Sequence, residues 1–189
     1  MKKPKEIRDT SKSYDIKRHH HLYAAWAASR GASVKGCRFS VEQGRTILEA
    51  CGFTSSFCRT EQLPVEESMD AQHRKWRVKV LEAGIAHGLP FTDGVAAKLI
   101  NLYLKGRFVC GGHHTNRRVH HLHPPIDDIL LKTLAASNIG GFAKEWRQAR
   151  RIRWSKFSSE QYEEVIRLIR QSLNGEPLWK IEEYWRGNQ

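Results

Sequence analysis

Two serine-led boxes constrain this chain more than any other feature. Ser40 is followed three residues later by Gln43, and Ser158 by Gln161. In that spacing a hydroxyl and an amide side chain satisfy each other's unpaired backbone N–H groups at a helix start. The first box opens a helix that stops at Gly52, and the second one running through Val165, Ile166 and Ile169 to Gly175. Helical spacing of apolar residues predicts five more. They run from Arg18 to Ser29 through Leu22, Tyr23, Trp26 and Ala27; from Asp70 through Trp76, Val80, Leu81 and Ile85 to Gly88; and from Gly94 to Lys105 with Val95, Leu99, Leu102 and Tyr103 on one side. A further one opens at Pro124-Pro125 and carries Ile126, Ile129, Leu130 and Leu134, and a short one runs from Leu178 to Trp185 after Pro177. Residues 53–69 read as a loop. No alternating apolar–polar run reads as a strand. The expected fold class is all-α, about seven helices, two-lobed about a glycine-rich centre.

The 189 residues suit one core. Residues 1–17 read as a flexible basic arm and 18–189 as a single domain. No window approaches the apolar length of a membrane span, and Met1-Lys-Lys-Pro-Lys lacks the apolar segment of a signal peptide. Cys37, Cys51, Cys58 and Cys110 are scattered, as reduced thiols of a cytoplasmic protein would be. The formal net charge is +12, so nucleic acid is the expected partner and a membrane is not.

The charge is unevenly spread. No Asp or Glu occurs between Val95 and Ile126, whereas Lys98, Lys105, Arg107, Arg117, Arg118 and five histidines do. That stretch ends at Asp127-Asp128, which can cap a helix start. Upstream, Phe91-Thr92-Asp93-Gly94 reads as a short hairpin turn feeding a helix, whose free N–H groups would suit a phosphate. A second basic run, Gly140 to Lys156, interleaves Lys144, Arg147, Arg150, Arg151, Arg153 and Lys156 with Trp146 and Trp154. It reads either as a phosphate-binding surface or as a solvated helix face.

Gly94-Val95-x-x-Lys98-x-x-Asn101, followed by Pro125-Ile126-Asp127, resembles the helix-hairpin-helix DNA glycosylases of the endonuclease III type. The resemblance covers residues 90 to 135. It implies a two-lobed glycosylase-like arrangement with a helix-hairpin-helix element over about 84–105 and a catalytic turn over about 123–130. Carried over by residue, Gly94 and Ala96 fall at the DNA-gripping hairpin, Lys98 at the lysine of the strand-cleaving members, and Asp127 at the catalytic carboxylate. Ala96 stands in place of the second hairpin glycine, Gly106 to His123 lengthens the Lys–Asp separation, and the iron–sulfur cysteine quartet is absent. The opening His20-His21-Leu22-Tyr23-Ala24-Ala25-Trp26 is also similar to small bacterial glycosylase-like proteins, within which the anti-phage enzymes excise glucosylated hydroxymethylcytosine. The resemblance therefore implies a monomer acting on double-stranded phage DNA, without a cofactor.

The chemistry asks for these residue types. Cleaving an N-glycosidic bond builds positive charge on the sugar, which a fixed carboxylate such as Asp127 stabilises while orienting water. Lys98 can attack the sugar as a neutral amine or hold a phosphate as a cation. Gly94, Ala96, Asn101, Arg117, Arg118, Arg150, Arg151 and Arg153 are the expected DNA contacts. Tyr23, Trp26 and His123 are candidates for the pocket of a flipped base, although Tyr23 and Trp26 also fit a core face. Cys110-x-x-His113 and His120-x-x-His123 have spacings compatible with zinc, and His114-Thr115-Asn116 leaves a metal-dependent nuclease as a rival. A non-catalytic DNA-binding module is the other.

Overall fold

The structure is a computed structural model that describes residues 14–187. Those residues are helical, with no strand among them beyond an isolated bridge between Val34 and Cys37. The α-helices are α1 (Ile16–Ala32), α2 (Val41–Ala50), α3 (Glu66–Ala86), α4 (Asp93–Leu104), α5 (Arg117–His120), α6 (Asp128–Ala136), α7 (Ala143–Ile152) and α8 (Ser159–Leu173). Both serine boxes form as reciprocal caps, at α2 and α8. Residues 1–13 of the expected basic arm lie outside the described residues. Its last residues do not form an arm, because Asp15 accepts the Arg18 N–H and α1 already begins at Ile16.

Several expected boundaries shift, each for a physical reason. The prolines do not open α6; Pro124 and Pro125 stay outside it and Asp127 is the N-cap. Helix α3 starts at Glu66 rather than Asp70, with Glu66 and Glu67 in its first turn where acids complement the helix dipole. The stretch after Gly106, expected to be irregular, is helical over its first part. Helix α4 continues as a π-helical segment, Lys105–His113, until Gly112 at φ 88° breaks it. Buried Phe108 and Arg107 anchor that continuation, and the Arg107 guanidinium donates to the carbonyls of Lys17, Ser55 and Phe57. The basic run contains α7, which buries Trp146 and Ala149 and leaves its cations outside. The last element, Leu178–Tyr184, is a 3-10 helix.

The core divides into two clusters that share α4. Leu48, Phe53, Met69, Trp76, Leu99 and Phe108 belong to the first; Leu130, Trp146, Tyr162, Ile169 and Ile181 belong to the second. Val95 and Ile100 of α4 face the first cluster and Ala97 faces the second. A helix apolar nearly all round is a buried helix, so the one-sided α4 of the sequence reading is a central one. Its neighbour α1 comes close because Ala24, Ala25, Ala28 and Ala32 leave room, with Gly106 against Ala24 and Gly31 against Leu102.

The start of α4 is stapled to the 3-10 turn Trp154–Lys156 and the residue after it. Thr92 caps the Val95 N–H and donates its own hydroxyl to the Ser155 carbonyl, while the Gly94 N–H reaches the Phe157 carbonyl at 3.3 Å. A Cβ on Gly94 would sit 1.8 Å from the Trp154 carbonyl oxygen. Backbone cannot move aside as a side chain can. Gly94→Ala is therefore expected to destabilise the protein by about 3 kcal/mol or more, read from the midpoint of urea unfolding; an unchanged midpoint would refute the contact.

Candidate active site beside an arginine-lined cleft

A chain of buried polar groups sets the site's geometry. Asn101, buried in α4, donates its amide to the Pro124 carbonyl at 2.9 Å and to the Tyr162 hydroxyl at 3.0 Å. The Tyr162 hydroxyl, already an acceptor, donates to His123 Nδ1 at 3.0 Å, and His123 Nε2–H donates to Asp70 at 2.9 Å. On the other side His73 Nε2–H donates to the Asn101 oxygen at 2.7 Å, and Arg77 donates to His73 Nδ1 at 3.0 Å. Each of these bonds has one donor and one acceptor only if both histidines are neutral and protonated at Nε2. Burial lowers both imidazole pKa values, with Asp70 partly offsetting the shift at His123 and Asn101 at His73. Arg170 closes one end on Asp70, and Glu163 closes the other on Arg77. The hydrogen bond from His123, with the hydrogen bond and charge of Arg170, holds the Asp70 carboxyl well below the usual range, and Arg74 and Arg77 hold Glu163 down at about 2.

This network clamps Pro124 to α4, and three residues later comes Asp127. Lys98 lies one turn before Asn101 on the same helix face. Lys98 Nζ consequently stands 3.3 Å from Asp127 Oδ2, with side chains 10% and 18% exposed. The same oxygen accepts the Trp185 indole N–H at 2.9 Å, and Oδ1 accepts the Leu130 N–H at 2.9 Å. A carboxylate has about four acceptor positions, so one stays open for a water or a substrate proton. The Trp154 ring lies 4.2 Å from Lys98 Nζ as a cation–π partner. Burial depresses the Lys98 pKa, and Asp127 pulls it partly back. Behind the pair, Glu182 binds Lys105; burial pushes its carboxyl up, against the pull of Lys105.

Trp154 is also a wall of an open cleft of about 1040 Å³. Lys35, Arg147, Arg150, Arg151 and Arg153 line it, and Asp128 is the one carboxylate among its described lining residues. Asp128 is held by Arg150 through two hydrogen bonds, of 2.8 and 3.2 Å. Arg153 ends α7 at φ 72°, ψ 126°, a conformation that costs a non-glycine residue about 1–3 kcal/mol. That turn swings the next residue, Trp154, across Lys98.

The other expected site residues divide. Arg150, Arg151 and Arg153 line the cleft. Gly94, Ala96 and Asn101 do not reach it: all three are buried. The N–H groups expected to bind phosphate at the α4 start go instead to Phe157, to the Thr92 side chain and, from Ala96, to the Thr92 carbonyl. Arg117 and Arg118 sit at a separate, mixed-charge depression with Glu66, Glu67 and Glu176, and Arg118 bonds the Leu63 carbonyl. His123 is buried in the polar chain and is not among the residues that line the cleft. Tyr23 and Trp26 are on the outer face of α1, 61% and 49% exposed, and neither lines the cleft. Among the described residues no group of three or more His, Cys, Asp or Glu side chains converges as metal ligands. Trp185, Glu182 and Trp154 as a cation–π partner escaped the sequence reading. Trp185 is 58 residues from the carboxylate it binds, and no local pattern announces such a contact.

Two outcomes follow from the polar chain. Asn101→Ala strands buried groups on three elements, so it is expected to cost about 2–4 kcal/mol in urea unfolding; a DNA-contact role would instead leave stability unchanged. The depressed His73 and His123 pKa values mean that the unfolded chain takes up protons first. Stability should fall as pH drops below about 6.5 and fall again through the carboxylate range as Glu163 and Asp70 protonate in the unfolded chain before they do in the folded one. A urea midpoint flat from pH 7 to pH 5 would contradict neutral buried histidines. Comparison with protein-family models, curated proteins and solved structures finds no match to this chain.

Proposed function

We propose that the protein is a DNA glycosylase that removes a modified base from double-stranded DNA and leaves an abasic site. One observation carries the reading. Lys98 and Asp127, which align with the lysine and aspartate of the resembled family, meet at 3.3 Å beside an arginine-lined cleft. The specific substrate, glucosylated hydroxymethylcytosine of phage DNA, rests on the resemblance alone. So do an anti-phage role, the helix-hairpin-helix arrangement, a cytoplasmic setting and a monomeric, cofactor-free enzyme.

The cleft arginines would bind phosphates, each displacing condensed counterions and making affinity fall with salt. The target nucleotide rotates out of the stack toward Trp154. As the C1′–N bond breaks, its electron pair leaves with the base, which takes a proton from solvent while the proton later passed to Asp127 returns to solvent. Positive charge grows on the sugar ring, and the Asp127 carboxylate stabilises it. Water adds its oxygen to C1′ and passes a proton to Asp127, whose free acceptor position suits that task. Trp185 holds the carboxylate in place through Oδ2. Lys98, depressed by burial, offers a second route: its neutral amine displaces the base at C1′, the ring opens to an imine, and loss of a C2′ proton expels the 3′-phosphate. Water then releases Lys98.

The test is incubation, in EDTA, with DNA carrying glucosylated hydroxymethylcytosine and with ordinary DNA, followed by counting abasic sites. Sites on modified DNA that fall by about 10²-fold or more in Asp127→Asn are the expected result. Borohydride trapping lost in Lys98→Ala would assign the imine route. Absence of product on both DNAs and on a panel of damaged bases would overturn the glycosylase in favour of a DNA-binding module. Product that forms only in a parallel incubation with a divalent metal and no EDTA would point to the nuclease.

A further inference from the structure

The outer face of α1 carries the largest exposed aromatic feature of the described residues, and the polar chain and the cleft both leave it unused. Tyr23 and Trp26 stack on each other with ring centroids 5.9 Å apart and planes 30° from parallel. They lie opposite the alanine face that packs against α4. At helical spacing, His19 precedes them and Arg30 follows on the same face, and both are exposed. The chain has no Asp or Glu between Asp15 and Glu42, yet Lys17, Arg18, Arg30, Lys35 and Arg38 fall there. Lys35 is itself a wall of the arginine cleft. Ser33, which ends α1, is about 10 Å of helix rise beyond Trp26, so the acid-free segment runs from the rings to the cleft.

We propose that Tyr23 and Trp26 form a stacking platform for the unpaired nucleobases of a single strand whose backbone continues into the arginine cleft. Flat aromatic faces suit a ligand that has flat rings. Every base has a π-face, so such a platform binds without sequence preference. The excess of cations over acids in the segment between Asp15 and Glu42 favours a polyanion. The course of the strand rests on reading the cleft as a nucleic-acid interface; the platform requires no bond cleavage.

The experiment is fluorescence anisotropy with a labelled oligothymidylate and, separately, a labelled duplex. For Tyr23→Ala/Trp26→Ala, single-strand affinity should fall about tenfold for each base that loses its ring, with duplex affinity within about twofold of wild type. Trp26→Phe should keep most of the binding. Both side chains are exposed, so folding should survive, and circular dichroism checks it. A double variant that binds oligothymidylate as tightly as wild type overturns the platform, as does a wild-type protein that binds no single strand. Sedimentation adds one further outcome: a wild-type dimer that dissociates in the double variant at unchanged single-strand affinity gives the face to a second copy and overturns the proposal. Arg150→Ala/Arg151→Ala reports on the cleft alone. If duplex affinity survives in that variant, the cleft reading fails while the platform result still stands.

Discussion

Asn101 is the residue on which the rest of the site depends. A buried amide in the middle of an apolar helix must spend its donors and acceptor inside the protein, and here they go to α3, α8 and the turn before α6. The three bonds fix α4 in register with its neighbours to a precision that apolar packing alone does not give. Lys98 and Asp127 inherit that register, one helical turn and three residues away. Their 3.3 Å approach is thus a consequence of a network that contains neither of them.

The cleft is the opposite case, with favourable local energetics given up. Arg147, Arg150, Arg151 and Arg153 crowd one surface with Lys35, and like charges repel. Asp128 offsets part of this through Arg150, in an exposed pair that water and salt screen. Arg153 adds a backbone conformation that glycine would adopt more easily. Strain and repulsion at one place mark a surface arranged for something other than stability. Trp154 joins the two regions, as the cation–π partner of Lys98 and a lining residue of the cleft.

The all-helical class, both serine boxes and Asp127 at a helix start were legible in the sequence because each is a local event. Periodicity could not tell that α4 is buried all round, since Lys98 and Asn101 look like solvent residues until the network that satisfies them is seen. The same blindness made Gly94 a ligand-approach glycine, when it is a contact with the Trp154 carbonyl. Between Val95 and Ile126 the absence of acids reads as a long positive segment. In the structure much of that stretch is core. Arg107 meets carbonyl oxygens there rather than carboxylates, so its charge was never available to a ligand. Tyr23 and Trp26 fitted a core face equally well by spacing, and only the packing of the alanines on the other side turned them outward.

The Lys98–Asp127 pair is a poor choice for holding a fold together. Taking two charges out of water costs several kcal/mol per ion, and an apolar side chain of similar volume often serves a core as well or better. Part of that cost shows in the lysine, whose pKa burial lowers despite the adjacent carboxylate. The carboxylate is pinned by a backbone N–H, an indole N–H and an ammonium, yet keeps access to solvent. A group held so firmly but left reachable does not reorganise when charge appears in front of it, and such preorganisation is what electrostatic stabilisation of a developing cation requires. The lysine beside it is less solvated than a surface amine and so nearer to the neutral form that a nucleophile needs. What the pair contributes poorly as a structural bridge is what the proposed glycosylase would need at its reacting centre.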